Sequence, residues 1–233
     1  MEGLDRDRMS DEYLAYLCGT QYSKNGLLPQ IWGFLDATVR QCCRPIFFQR
    51  AVYCGKERCH ALKFQSVVAA DGMICHLSGP WSGTTHDSRI FNCGLLPDIL
   101  ESMPIFDFGL STRYGPLTHP MALYADAGYV QNSRLWSPYK DGRRNAEHAA
   151  FNKIMSRNRV TVEWGYQMVL QLWKHMDFVS NQKIFKSPIG SQYVAAVLLT
   201  NCHSCMNGEN QVSMFFGAPV PSLHTYLDTL ATL

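Results

Sequence analysis

The stretch that decides the fold is Ile31-Trp-Gly-Phe-Leu-Asp36, an apolar run that ends in a carboxylate. A short apolar run that follows a turn signal, here Lys24-Asn25-Gly26, predicts a buried strand. A second run of this kind, Met121 to Ala125, ends in Asp126. Acids at the ends of adjacent strands can converge on one point above a sheet. The two runs therefore predict a sheet that carries carboxylates at one edge.

Further strands are expected after the first run. They are Phe47 to Tyr53, Cys59 to Ala69 and Met73 to Leu77, the last two joined by the hairpin turn Asp71-Gly72. Gly79-Pro80 and Gly83 are expected to break the chain after them. Residues 104–120 and 127–146 combine prolines and glycines with few periodic apolar positions, so both are predicted to be irregular.

Helices are predicted mainly in the second half of the chain. A short helix should open at His86-Asp87 and run through Phe91. A long one should begin near Glu147, because the apolar residues from Phe151 to Trp173 recur at steps of three, four or seven. Another is expected over Gln192 to Leu199, and Tyr13 to Leu17 have helical spacing. Strands followed by helices indicate a mixed α/β sheet with helices packed on it.

Composition narrows the class of protein. The chain has 233 residues, of which 46% are hydrophobic and 17% charged, values typical of one folded globular domain. No run approaches the roughly 18 apolar residues of a membrane helix, so no membrane partner is expected. Residues 1–12 lack the pattern of a secretory signal, which indicates an intracellular protein. A net charge of +2 is too small to predict nucleic-acid binding by itself.

Nine cysteines form no disulfide framework, since the number is odd and the spacings are not compact. In a reducing compartment they should act as small buried apolar residues. Two groups resemble zinc ligands: Cys54 with Cys59-His60, and Cys202-His203 with Cys205. Neither has a second ligand pair at a usual separation, so a structural zinc is not expected.

Glu163 completes a candidate carboxylate constellation with Asp36 and Asp126. It lies on the long helix at the margin of the apolar face. Three converging carboxylates raise one another's pKa unless cations neutralise them, and Mg²⁺ or Mn²⁺ prefers such oxygen ligands. Two such ions would suit phosphodiester cleavage. Three acids in a chain of this length also arise by chance, so the pattern alone leaves both interpretations open.

Clustered cations suit a polyanionic substrate, although charge alone favours an ordinary solvated surface. The first cluster follows Asp36 and the second precedes Glu163: Arg40, Arg44, Arg50, Lys56, Arg58 and Lys63, then Lys140, Arg143, Arg144, Lys153, Arg157 and Arg159.

The residues around the three acids resemble the catalytic blocks of the PIF/Harbinger transposases, in the lineage of fungi and related microbial eukaryotes. Gly33 to Arg40 is similar to the first block, Tyr124 to Tyr129 to the second and Phe151 to Tyr166 to the third. Other stretches match in the correct order: Lys56 to Ser66, Asp71-Gly72, Gly83 to Asp87, Leu198 to Cys202, and Phe216 to Leu227. The resemblance covers roughly residues 27–227.

The resemblance implies a DDE endonuclease with a ribonuclease-H-like fold that cleaves DNA at transposon ends, with strand transfer as a further step. Carried over block by block, Asp36, Asp126 and Glu163 would bind two Mg²⁺ or Mn²⁺ ions. His86 and Asp87 match a recurrent family pair, in which Asp87 is either a fourth carboxylate or a helix cap. The alternative function is that of a catalytically silent nuclear protein, derived from a transposase, that binds DNA or a protein.

The sequence also departs from the family. Ala37 stands where the family commonly has glycine, and residues 1–26 are too few for its upstream helix-turn-helix region. The expected division is an N-terminal remnant (1–26), a catalytic domain (27–227) and a tail (228–233). A Myb-like DNA-binding partner and a homo-oligomer are expected. The family acts in the nucleus, but no basic import signal is present; otherwise a cytoplasmic location is expected.

Four cations are candidate DNA contacts, each with an alternative. Lys56 and Arg58 lie between two strands and could equally belong to an ordinary exposed loop. Arg157 and Arg159 lie on the long helix, where Arg159 could instead form an intrahelical ion pair with Glu163. Trp164 and Trp173 could stack on bases, but packing in the core is favoured for tryptophans on a helix.

Overall fold

A computed structural model describes residues 9–112, 115–141 and 145–231. Arg143 and Arg144 of the second cationic cluster lie outside these residues, as do residues 1–8 and the last two of the chain. Among the described residues, no helix is both long enough and apolar enough to cross a bilayer.

The strands form one mixed sheet and one separate ribbon. In chain order they are β1 (Ile31–Gln41), β2 (Tyr53–Cys54), β3 (Cys59–Ala69), β4 (Ile74–Ser82), β5 (Ile105–Thr112), β6 (Gly115–Pro120), β7 (Ala122–Ala125) and β8 (Leu135–Trp136). The sheet has the order β2-β3-β1-β7-β8, and β4 also pairs with β3. β1 is antiparallel to β3 but parallel to β7, which is parallel to β8.

Within the described ranges, seven α-helices complete the fold: α1 (Asp11–Asn25), α2 (Asp87–Cys93), α3 (Leu96–Glu101), α4 (Ala146–Leu172), α5 (Ile189–Asn207), α6 (Gln211–Phe216) and α7 (Leu223–Ala231). The predicted mixed α/β class is confirmed, with parallel and antiparallel strands flanked by helices as in a ribonuclease-H-like fold. The long helix begins where predicted because Asn145 caps it, accepting hydrogen bonds from the backbone N–H groups of Glu147 and His148.

The core lies on both sides of β1. Ile31, Phe34 and Leu35 are fully buried, since helices cover both faces of the sheet. Leu17 of α1 and Val162 of α4 belong to the same apolar cluster. Burial on both faces explains why β1 is a continuous apolar run without alternation.

The predicted strand Phe47 to Tyr53 is wrong. Gln49–Val52 form a 3-10 turn, and only Tyr53 and Cys54 pair with β3. Phe48 has a left-handed backbone (φ 57°), which interrupts an extended run. The β-favouring composition of this stretch therefore reflects exposed aromatic side chains and not a buried strand.

Residues 104–120 are not the predicted loop, because β5 and β6 pair antiparallel there. The pairing is irregular between Asp107 and Ser111. Because an irregular strand does not keep a strict two-residue period, apolar and polar residues do not alternate cleanly in the sequence. Pro116 and Pro120 are tolerated because both strands of a two-stranded ribbon are edges. The described part of 127–146, which is 127–141 with 145 and 146, is irregular as predicted, apart from the two residues of β8 and the start of α4.

The predicted break at Gly79-Pro80 is also wrong, since β4 continues to Ser82. Ser78 pairs with Gln65 and Trp81 with Lys63, so Gly79 and Pro80 together face Phe64 across a bulge. A Cβ at Gly79 would lie 2.7 Å from the Phe64 ring, so this bulge needs glycine. By contrast, the hairpin at Asp71-Gly72 is confirmed, with Gly72 at φ 78°.

We expect Asn201 to secure α5 against the edge of the sheet. Its Oδ1 accepts from the N–H of Ile74 (3.1 Å) and its Nδ2 donates to the Ile74 carbonyl (2.9 Å). Asn201→Ala would leave both buried backbone groups unpaired, which should lower the free energy of unfolding by about 2–3 kcal/mol in urea denaturation. Asn207→Ala, at the exposed end of the same helix, is the control. Equal stability of the two variants would contradict this role.

Candidate active site

Sheet register brings the first two acids together. Leu35 of β1 pairs with Ala125 of β7 in a parallel ladder. The next residues along these strands are Asp36 and Asp126, so they emerge side by side at one edge. Each carboxylate accepts a hydrogen bond from the following backbone N–H, of Ala37 (2.8 Å) and Ala127 (2.6 Å). Asp126 follows the end of β7 as predicted, whereas Asp36 lies in the middle of β1, because this strand continues to Gln41 instead of ending at the acid.

Arg159 joins the third acid to the first. Its Nη1 donates to Asp36 Oδ2 at 2.9 Å, and its Nη2 donates to Glu163 Oε1 at 3.0 Å. The four-residue spacing places Arg159 and Glu163 on the same face of α4. The intrahelical ion pair is therefore present, and it is part of a larger arrangement in which one guanidinium holds two of the three acids.

The electrostatics of Asp36 reflect all three acids. Burial raises the pKa of this carboxyl from 3.8 to about 6; Arg159 and the Ala37 N–H oppose the shift, whereas the charges of Asp126 and Glu163 add to it. The Asp36 side chain is 16% exposed and that of Glu163 is 53% exposed. Asp126 and Glu163 are therefore close enough to affect the protonation of Asp36.

Tyr166 supports Asp36 from α4. Its hydroxyl donates to the Asp36 backbone carbonyl (2.6 Å) and accepts from Ser66 Oγ on β3 (2.9 Å). Burial raises the pKa of this hydroxyl well above its usual range. Sequence reasoning placed Tyr166 on the apolar face of the helix and missed its polar end. The sequence signal that could have identified Tyr166 as a site residue was its position three residues after Glu163 on the same helix.

Asp87 is paired with a cation. Lys63 Nζ donates to Asp87 Oδ1 (2.9 Å) and to the Thr85 carbonyl (2.9 Å). His86, and not Asp87, occupies the N-cap position of α2, and it makes no side-chain cap hydrogen bond. The predicted capping role of Asp87 is therefore wrong, because its carboxylate turns back towards β3.

Gln65 and Tyr129 form a buried support beneath the acids. Gln65 Nε2 donates to the Tyr129 hydroxyl (2.8 Å) and to the Asp87 carbonyl (3.2 Å). Burial raises the Tyr129 pKa well above its usual value, and the nearby charges of Asp87, Asp36 and Asp126 add to this shift. Neither residue was singled out from the sequence as part of a site.

A polar cavity of about 310 Å³ opens beside these residues. Four residues predicted for the site line it, namely Asp36, Glu163, Asp87 and Lys56, together with Lys63 and Tyr166. The other predicted residues do not line it: Asp126 follows β7 beside Asp36, and Arg159 bonds to Asp36 and Glu163 from α4. Arg58 is exposed in the turn before β3, Arg157 is exposed on α4, and His86 is exposed at the start of α2. The cavity thus combines acids with the cations needed to balance them.

The predicted helical tryptophans pack against the core. The Trp164 ring meets Phe215 edge to face at 5.5 Å, and Trp173 Nε1 donates to Thr200 Oγ1 at 3.0 Å. Their packing interpretation is confirmed.

The acids fit a hard divalent cation by donor chemistry, because carboxylate oxygens are the ligands that Mg²⁺ and Mn²⁺ prefer. As the side chains stand, no three His, Cys, Asp or Glu residues within the described ranges are grouped to hold a metal ion. Arg159 supplies the compensating positive charge between Asp36 and Glu163 instead. Metal binding through Asp36 Oδ2 or Glu163 Oε1 would therefore require Arg159 to release that oxygen.

We expect the raised pKa of Asp36 to appear in the stability of the metal-free protein. The folded state holds this proton more tightly than the unfolded chain, so the stabilisation is fully present below about pH 4 and is lost as the pH rises through about 6. In EDTA, wild type should lose about 2–3 kcal/mol of unfolding free energy between pH 4 and 7 relative to Asp36→Asn. Urea denaturation at both pH values measures this difference.

Asp98→Asn, which alters an exposed acid on α3, is the matched control for the pH experiment. Its stability profile should run parallel to that of wild type. If Asp36→Asn also ran parallel, the electrostatic description of Asp36 would be incorrect.

Of the comparisons with known proteins, one found a match, and that match agrees with this geometry. No curated protein and no solved structure matches the chain. A family model described as DDE superfamily endonuclease matches residues 35–201, which include all three acids and most of the chain. This chain therefore belongs to the DDE endonuclease superfamily.

Proposed function

We propose that this protein is a divalent-metal-dependent endonuclease that cleaves phosphodiester bonds in DNA, with Asp36, Asp126 and Glu163 as metal ligands. The observation that carries the proposal is the gathering of the acids: the register of β1 and β7 places Asp36 beside Asp126, and Arg159 donates to both Asp36 and Glu163. Carboxylates are rarely gathered in this way without a cation to bind. Membership of the endonuclease superfamily supports the same activity.

The chain's own residues supply binding and orientation. Arg159 presents a planar fork of donors that suits a phosphate as well as a carboxylate. Lys56 and Lys63 line the same cavity and add positive charge. Tyr166 holds the backbone of Asp36 in place through the Asp36 carbonyl. Bound divalent ions would supply an activated nucleophile at neutral pH and stabilise the charge on the leaving oxygen.

The finer assignment rests on the resemblance of the sequence blocks to PIF/Harbinger transposases. On this proposal the DNA is a transposon end, strand transfer can follow cleavage, and the reaction takes place in the nucleus. A Myb-like partner would supply sequence-specific binding, and a second copy of the chain would allow two ends to be processed together. Arg58 and Arg157 are proposed as contacts to DNA outside the cavity, because both are exposed cations.

A second function is favoured by one observation. Arg159 pairs with Asp36 and Glu163, and the described residues contain no group of three ligands placed to hold a metal. A catalytically silent protein that binds DNA or another protein would need no more than this. It predicts binding that is independent of metal and of Glu163.

Replacement of Glu163 with Gln separates the two functions. With Mg²⁺ or Mn²⁺ and element-end or supercoiled DNA, wild type should produce nicks, and Glu163→Gln should reduce the rate by roughly two orders of magnitude or more because a metal ligand is removed. Gel electrophoresis of the products measures the rate. Glu147→Gln, in the exposed first turn of the same helix, should behave as wild type. Circular dichroism confirms that both variants fold. Equal nicking by the two variants would favour the silent protein.

Arg159 should compete with metal for the carboxylates. In Arg159→Ala, Asp36 and Glu163 lose their internal partner and a nearby positive charge disappears, so Mn²⁺ affinity without DNA should increase about tenfold. Isothermal titration calorimetry measures the affinity. Arg157→Ala removes an exposed arginine from the same helix and should leave it unchanged. If both variants matched wild type, Arg159 would not compete with cations for the metal ligands.

A further inference from the structure

Two loops carry large side chains that the fold leaves in solvent. Ile46, Phe47 and Phe48 follow β1 and are 81%, 69% and 73% exposed, and Phe185 precedes α5 and is 76% exposed. We call this group of three phenylalanines and one isoleucine the aromatic patch. Single exposed apolar residues are ordinary on a protein surface, but a contiguous group of them marks a binding surface.

The loops that carry the aromatic patch are tied to each other. The N–H of Cys43 donates to the Gln182 carbonyl (2.8 Å), and the Cys43 thiol donates to the Val179 carbonyl (2.9 Å). The Phe48 and Phe185 rings meet edge to face with centroids 6.3 Å apart. The exposure of these rings therefore belongs to a fixed arrangement.

Backbone strain accompanies this exposure. Phe48 (φ 57°) and Phe185 (φ 69°) both adopt left-handed conformations, which are unfavourable for bulky residues. Strain of this kind persists where the surrounding structure imposes it, and it is concentrated at binding and catalytic sites.

The charge around the aromatic patch has one sign. A cavity of about 410 Å³ between the loops is lined by Phe47 and Phe185 together with Arg44, Lys183 and Lys186. Its lining includes no acidic residue. The three cations are exposed, and none forms an ion pair with another residue in the described ranges. The surface therefore complements a ligand that combines negative charge with flat apolar groups.

We propose that the aromatic patch and its three cations bind an unpaired segment of the DNA strand that enters the active site. Phenylalanine rings cannot read bases by hydrogen bonds, but they can stack on the faces of bases. In a duplex those faces are already stacked on neighbouring bases, so the patch suits a single strand. The cations would then bind the phosphates between stacked bases. This inference rests on the proposed function, because it names the form of the DNA substrate.

The position of the patch fits this substrate. β1 carries Asp36 in its middle and leads directly to Cys43 and the first loop. At the rise of a strand, the seven-residue step from Asp36 to Cys43 spans roughly 20 Å, the length of about six stacked nucleotides. One DNA strand could therefore reach the aromatic patch and the catalytic cavity at the same time.

Binding of a labelled 12-nucleotide oligodeoxythymidine, measured by fluorescence anisotropy in EDTA, tests the inference. Replacing both Phe47 and Phe185 with Ala should weaken binding about tenfold or more, because two stacking platforms are removed. Phe185→Trp should retain binding. Met206→Ala removes a 73% exposed apolar residue from α5 and is the matched control.

The salt dependence of the same binding reaction tests the cations. Replacing Lys183 and Lys186 with Ala should make log affinity fall less steeply with log salt concentration. The slope should decrease by about 0.7 for each phosphate that the variant no longer neutralises. An unchanged slope would contradict the binding of phosphates by these two lysines.

An abasic oligonucleotide of the same length separates stacking from charge. It should bind wild type about as weakly as the thymidine oligonucleotide binds the double phenylalanine variant. The proposal is overturned if the thymidine oligonucleotide does not bind, if the phenylalanine variant binds it as wild type does, or if the abasic strand binds equally well. It is also overturned if a polyglutamate peptide binds more tightly with the same dependence on the phenylalanines, because the surface would then belong to an acidic protein.

Strand binding can be separated from catalysis. In Glu163→Gln, oligonucleotide binding should keep its dependence on Phe47 and Phe185, because the cavity beside the aromatic patch shares no lining residue with the catalytic cavity. If the wild-type protein bound the oligonucleotide but did not cleave DNA, only the proposed nuclease activity would be contradicted. Cleavage of duplex DNA without dependence on the phenylalanines would remove the strand-binding site alone.

Discussion

The constraint on which the rest of the structure depends is the repulsion among carboxylates gathered at one edge of the sheet. Asp36 is largely buried, and its charge is opposed both by desolvation and by Asp126 and Glu163. Arg159 is the one group that bonds to both Asp36 and Glu163 among the described residues. Without an opposite charge, a buried carboxylate near two others would remain protonated or weaken the fold. Arg159 offsets part of this repulsion by donating to Asp36 and Glu163.

The fold fixes that meeting through two kinds of periodicity. The parallel register of β1 and β7 sets Asp36 beside Asp126, because Leu35 and Ala125 are paired. On α4, a four-residue step puts Arg159 and Glu163 on one face. Tyr166 lies three residues further along and bonds to the Asp36 carbonyl, which ties the helix to the strand. The acids are therefore held by backbone geometry, and small shifts of α4 would move Glu163 and its counter-charge together.

The sequence predicted those elements whose pattern is local and strong. β1, β7 and α4 follow from apolar runs and helical spacing, and these three elements carry all three acids. Prediction failed where tertiary contacts decide. β4 continues through Gly79-Pro80 because a bulge in its pairing with β3 accommodates these residues. The bond between Arg159 and Asp36 joins residues 123 positions apart, so no local spacing could reveal it. Lys63 was counted among the cations, but its pairing with Asp87 depends on how β3 faces α2.

Arg159 also explains how one arrangement of side chains can suit the site both without ligands and with DNA and metal ions bound. Its guanidinium bonds equally well to carboxylate and to phosphate, so a DNA strand in the cavity would offer it a competing acceptor. A turn of Arg159 towards phosphate would free oxygens of Asp36 and Glu163 for cations. The local charge would stay balanced, because Arg159 would pair with the phosphate and the divalent ions would pair with the carboxylates. On the proposed function, substrate and metal would therefore favour each other's binding. This reciprocal coupling follows from one side chain that cannot serve both sets of oxygens at once.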